Sequence, residues 1–90
     1  MKKILKNTAE RAARYLEELE QRRVAPEPNA VRALERLQEP LPQEPSDPEH
    51  VLELLDTICS PATVASAGGR YFGFVIGGSL PSTLAASWLT

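Results

Sequence analysis

Lysine amines, imidazoles and thiols are the side chains most able to do covalent or acid–base chemistry, and this chain has few of them. A lysine serves as a Schiff-base former when it is desolvated in a pocket. Lys2, Lys3 and Lys6 are the only lysines, and they sit in a charged terminus. They are expected to be solvated and not catalytic. His50, the sole histidine, falls in the first turns of a charged segment and is expected to be an exposed side chain rather than an acid–base catalyst. Cys59 has no second thiol to pair with and no basic neighbour to activate it, so it reads as an ordinary helix-end residue. One histidine and one cysteine also leave no metal-ligand cluster. No catalytic residue and no metal site are assigned.

The remaining feature with chemical potential is the glycine-rich turn from Gly73 to Ser79, which leads toward a helix start at Pro81. Backbone N–H groups at such a start can hold an anion. The run lacks the Lys-Ser/Thr of a P-loop and the GxGxxG of a dinucleotide fold. The plainer reading is a tight turn in which glycine supplies a positive φ.

The elements that would carry these residues are helical. Leu5, Ala9, Ala12, Leu16 and Leu19 recur at steps of three and four, which predicts an amphipathic helix over about Thr8 to Arg23. Glu18 and Arg22 are spaced to pair along it, and Pro26 and Pro28 end it. Asn29 is placed to cap a short second helix through Gln38, with Val31, Leu34 and Leu37 on its apolar side. Pro40, Pro42 and Pro45 then exclude helix and favour an extended connector. Ser46-Asp47-Pro48-Glu49 is a helix start, followed by an apolar stripe of Val51, Leu54, Leu55 and Ile58 and a stop at Pro61. Small residues fill Ala62 to Gly69. Tyr71 to Ile76 is strand-like, Gly77-Gly78-Ser79 breaks it, and a helix restarts at Pro81 with Ser79 as a cap. Leu84, Trp88 and Leu89 are expected to face one way.

Ninety residues bound the molecule to one small domain. The formal net charge of -2 provides no field for nucleic acid. The charges are uneven: beyond Asp56 only Arg70 is charged. The first part thus reads as solvated helices and the last as something covered by another surface. Tyr71 to Thr90 is uncharged over about a bilayer thickness, but three glycines, Pro81, three serines and two threonines oppose insertion, and no membrane is expected. The basic start is followed by Asn7, Thr8, Glu10 and Arg11, not by an apolar run, which argues against a secretory signal. Together with the unpaired thiol this favours a cytoplasmic setting.

The run Gly69-Arg70-Tyr71-Phe72-Gly73-Phe74-Val75-Ile76-Gly77-Gly78-Ser79-Leu80-Pro81-Ser82-Thr83-Leu84-Ala85-Ala86-Ser87-Trp88-Leu89 resembles the start of group II pyridoxal-phosphate-dependent decarboxylases. These are the aromatic amino acid and glutamate decarboxylases, which typically carry an aromatic pair, a loop of small residues and an Ala/Leu-rich helix. The upstream order is similar as well. An amphipathic helix ends in Arg23-Val24-Ala25-Pro26, Leu41-Pro42-Gln43-Glu44-Pro45 follows, and a helix opens at Asp47-Pro48.

The resemblance implies a mainly α segment of three to four helices with a Pro-rich connector, incomplete as a domain, at the N-terminus of a fold-type I enzyme. Residues 1–60 would be dimer-wrapping helices. Residues 61–90 would be an aromatic, glycine-rich pocket loop and the start of a further, truncated helix. Phe74, Val75, Ile76 and Gly77 would be substrate-binding wall positions in a homodimer that decarboxylates an amino acid with pyridoxal phosphate. Two positions depart from the family pattern. Some relatives have His-Pro where this chain has Gly68-Gly69, and some have a threonine at the position of Gly77, where glycine offers a substrate no hydroxyl. By the resemblance the cofactor lysine, the ring-stacking histidine and the aspartate facing the pyridine nitrogen all lie beyond Thr90, so the chain alone is expected to bind no cofactor and to be inactive. Two alternatives stay open: a related fold-type I enzyme of the aminotransferase kind, and a small helical interaction module.

Overall fold

The computed structural model describes Met1–Thr90 and is mainly helical, with no strand. Four α-helices are joined by short 3-10 and π turns: α1 Lys2–Glu18, α2 Pro28–Ala33, α3 Pro48–Leu54 and α4 Pro81–Leu89. None is long and apolar enough to cross a membrane.

Helix α1 starts six residues earlier than the apolar spacing predicts and stops five residues sooner. It stops because the chain is needed elsewhere. Leu19 turns into the small core, the N–H groups of Gln21 and Arg22 both donate to the Glu18 carbonyl, and Val24 accepts from the Ala65 N–H at 2.9 Å. Helix α2 is capped by the backbone of Glu27 with Pro28 at its first position. Asn29 lies inside it and accepts from Arg32 instead of capping. The segment tightens to a 3-10 turn over Leu34–Leu37.

Helix α3 begins as its sequence specifies. The Asp47 carboxylate accepts from the Glu49 N–H at 3.1 Å, and Pro48 occupies the first helical position, where its missing N–H costs nothing. The end differs from the simple stop expected at Pro61. The helix widens into a π turn over Leu55–Cys59 and then narrows to a 3-10 turn over Ser60–Ala62. That widening carries Asp56 and Ile58 to the inner side of the molecule.

Burial is sparse. Leu19, Ile58 and Ala65 are the buried residues, with Ala65 the most enclosed. A small side chain there lets the 62–69 segment lie against the end of α1. Gly68 continues this contact, since a Cβ on it would stand 3.4 Å from Leu19 Cγ. The radius of gyration is 15.1 Å, against about 12 Å for a compact chain of this length. Helix α4 lies beside α1 without closing on it, leaving an apolar groove of about 530 Å³ lined by Ala9, Ala12, Leu16, Leu84, Ala85 and Trp88. Leu84 and Trp88 do share a face, but Leu89 points away and is 90% exposed. Leu80, not Ser79, is the α4 cap residue, and it offers no side-chain bond.

Candidate functional site

The loop from Tyr71 to Leu80 forms no strand, because no neighbouring segment offers its backbone a partner. Its centre is a tight turn in which the Ile76 N–H donates to the Gly73 carbonyl at 3.0 Å. The two central residues, Phe74 and Val75, have φ of 49° and 56°. Sequence reasoning assigned the positive φ to glycine, yet no glycine in the chain adopts it. The left-handed conformation costs roughly 1–2 kcal/mol for a residue with a Cβ, and a β-branched residue is rare there.

Phe74 and Val75 are consequently displayed outward, at 91% and 105% exposure, with Phe72 beside them at 90%. Ile76 is 47% exposed, and a Cβ on Gly77 would meet nothing within 4 Å. The four positions singled out by the resemblance therefore share one protruding loop and line none of the main cavities of this chain. Gly73 has a local reason to be glycine. A Cβ there would stand 3.0 Å from Tyr71 Oη and 3.2 Å from Cζ, so its absence lets the tyrosine ring fold back along the turn.

A second concave region, a cleft of about 660 Å³, lies where the C-terminal part of α1 meets the π turn. Its arginines are already engaged with the protein itself. Arg11 donates to Asp56 Oδ2 at 2.5 Å, and Arg14 reaches the same oxygen at 3.3 Å. Arg22 Nη2 donates to the Ser60 carbonyl at 2.5 Å and to the carbonyl and Oγ1 of Thr63 at 3.0 and 3.1 Å. Its guanidinium carbon lies 5.2 Å from the centre of the Tyr15 ring. Arg70 in turn donates to the Arg22 carbonyl. The pairing of Arg22 with Glu18 expected from their spacing is not formed, because carbonyls distant in sequence take the guanidinium. These contacts span 38 to 48 residues, and no local signal could have disclosed them. The cleft acts as a staple between segments.

His50 is exposed on the first turn of α3, and Cys59 is half-buried at the end of the π turn. The three lysines are exposed on α1, and Lys3 reaches Glu49 at 3.8 Å with its side chain 85% exposed. No group of three or more His, Cys, Asp or Glu side chains is placed to hold a metal ion. No protein-family model, no curated protein and no solved structure matches this chain.

Proposed function

We propose that this chain is the N-terminal region of a fold-type I, group II pyridoxal-phosphate-dependent amino acid decarboxylase, supplying dimer contacts and one wall of the substrate pocket. The observation that supports the reading is the loop itself. Phe72, Phe74 and Val75 stand free of their own chain on a strained turn, as pocket-wall side chains do when the rest of the pocket belongs to other segments. The parent enzyme would remove the α-carboxylate of its substrate as carbon dioxide.

The residues of this chain do not fit a pyridoxal phosphate site. A Schiff-base lysine needs a desolvated pocket, and Lys2, Lys3 and Lys6 all lie exposed on the first turns of α1. No chemical step is assigned to them. In this reading Phe74 packs on the substrate side chain and Gly77 leaves room for close approach.

Gly77→Val in the full-length parent tests the proposal. The added side chain has open space in this chain and no positive φ to resist it, so the local fold should accept it. The expected result is a strong fall in kcat/KM with cofactor absorbance and dimerisation nearly intact. An unchanged kcat/KM overturns the pocket-wall role, and loss of dimerisation ahead of activity makes the loop structural. The open apolar groove between α1 and α4 favours a second reading, a helical interaction module without an enzymatic parent. Reading the coding frame beyond codon 90 separates the two: a continuing frame with a later His-Lys pair supports the enzyme.

A further inference from the structure

The arginine cleft at the end of α1 is stapled by only part of its donor capacity. A guanidinium carries five N–H groups. Arg22 bonds through Nη2 alone, which leaves Nε and Nη1 without a partner. Arg14 makes one long contact, 3.3 Å to an Asp56 oxygen that Arg11 already holds at 2.5 Å, and its side chain is 57% exposed. Arg23 pairs only with Glu27, one turn along, and both side chains are more than half exposed. Exposed pairs of this kind contribute little and exchange readily.

Charge points the same way. Four arginines line the cleft against three carboxylates, those of Glu18, Glu27 and Asp56, so the cleft is positive in a chain of net charge -2. Arg22 spends its charge on neutral carbonyls and a hydroxyl, and Arg11 and Arg14 share one carboxylate. The volume of about 660 Å³ lies within the roughly 300–1,000 Å³ of small-molecule sites. The resident carboxylate decides what can compete for these arginines. Asp56 is tethered beside them, so a free monocarboxylate brings nothing that Asp56 does not already supply at a higher effective concentration. A phosphate monoester does, with a charge of about −1.5 to −2 near pH 7 and three acceptor oxygens that suit the guanidinium fork.

We infer that this cleft binds a small phosphate monoester. Arg14 and Arg23 turn from their weak partners onto its oxygens, Arg22 adds its free N–H groups, and the organic part lies along Pro26 and Pro61, which line the same cleft. Arg11 stays on Asp56, so the ties between α1 and the π turn are kept and the ligand adds a further bridge. No residue of the 71–80 loop lines the cleft, and the inference does not depend on the decarboxylase reading.

An NMR chemical-shift titration of the purified 90-residue chain with methyl phosphate tests it, with circular dichroism as a control for the fold. The buffer holds about 0.15 M chloride, where the Debye length is about 8 Å and unlocalised attraction is screened. One saturable site is expected, with the largest shifts at Arg14, Arg22 and Arg23. Dimethyl phosphate, which carries a single charge, and acetate should each bind at least roughly tenfold more weakly. Arg14→Gln and Arg23→Gln should each raise the dissociation constant by roughly tenfold. Their circular dichroism should not change, because Arg11 and Arg22 still staple the segments. Glu18→Gln removes a carboxylate that has no ion-pair partner from the cleft wall and should tighten binding several-fold, a gain that a merely structural role would not produce. Arg36→Gln, at an exposed arginine outside the cleft, should leave the dissociation constant unchanged. The absence of saturation overturns the inference. So does equal affinity for dimethyl phosphate, or a loss in Arg36→Gln that matches the loss in Arg14→Gln.

Discussion

Between Met1 and Arg70 the chain carries every one of its charged side chains, and there it is tied together by long-range polar contacts around a very small core. Arg22 alone collects two carbonyls and a hydroxyl, and Asp56 draws in two arginines. From Tyr71 to Thr90 the chain is uncharged and mostly apolar, yet Phe72, Phe74, Val75, Leu80, Trp88 and Leu89 are all exposed. The polar half is ordered from within and the apolar half is left uncovered. This inverts the usual distribution, in which apolar residues gather inside. The contrast teaches that exposed apolar surface on a small chain carries information about what it meets. Buried area is its main source of stability, so surface left open is available to association.

The largest test of this contrast compares the two halves directly. Leu19→Ala or Ile58→Ala removes one of the few buried aliphatic side chains and should cost about 2–3 kcal/mol, read from the urea midpoint of helix loss. Phe74→Ala in the other half should leave that midpoint nearly unchanged. Equal costs would mean that the loop is packed within the chain after all, and the comparison would fail.

Arg22→Ala should come next, at about 1–2 kcal/mol, because it removes the one donor that ties Ser60 and Thr63 to the end of α1 and leaves the Ser60 carbonyl only its local bonds from the Thr63 N–H and Oγ1. Arg22→Lys should recover little, since an ammonium lacks the donor fork of the guanidinium that lies 5.2 Å over the Tyr15 ring. Full recovery in the urea titration would show that charge alone is needed and would weaken the stapling account.

The smallest effect has the opposite sign. Val75→Gly removes a Cβ from a backbone with φ of 56° and should stabilise the chain by up to about 1 kcal/mol. A destabilising result would show that the valine side chain has a partner in the isolated chain. If the variant is both more stable and less active in the decarboxylase proposed as its parent, the strain belongs to the loop's function.

Much of the architecture was legible in particular residues. Asp47-Pro48-Glu49 announces α3, and the structure realises its cap as an Asx bond to the Glu49 N–H. Pro40, Pro42 and Pro45 predict the helix-free connector between α2 and α3, where the backbone has neither the donors nor the freedom to coil. Pro81 opens α4 for the same reason that Pro48 opens α3. The steps of three and four in Leu5, Ala9, Ala12 and Leu16 place a single stripe on α1 whatever its neighbours are.

The partner of that stripe depends on the tertiary structure, which sets it toward α4 and open space and turns the adjacent face of Arg11, Tyr15 and Arg22 toward the π turn. The expected pairing of Glu18 with Arg22 illustrates the difference. Helical spacing brings two such side chains within reach, but reach is worth only a few tenths of a kcal/mol. Fixed carbonyls arriving from Ser60 and Thr63 outbid it. The loop shows the same division of labour. Its aromatic and glycine pattern marks a bend between Tyr71 and Leu80, while the structure puts Phe74 and Val75, and no glycine, in the left-handed positions of the turn that closes on Gly73. Local chemistry determined where this chain coils and bends, because those preferences act over a few residues. Which side chains it spends on itself and which it leaves exposed was decided by contacts between segments some forty residues apart.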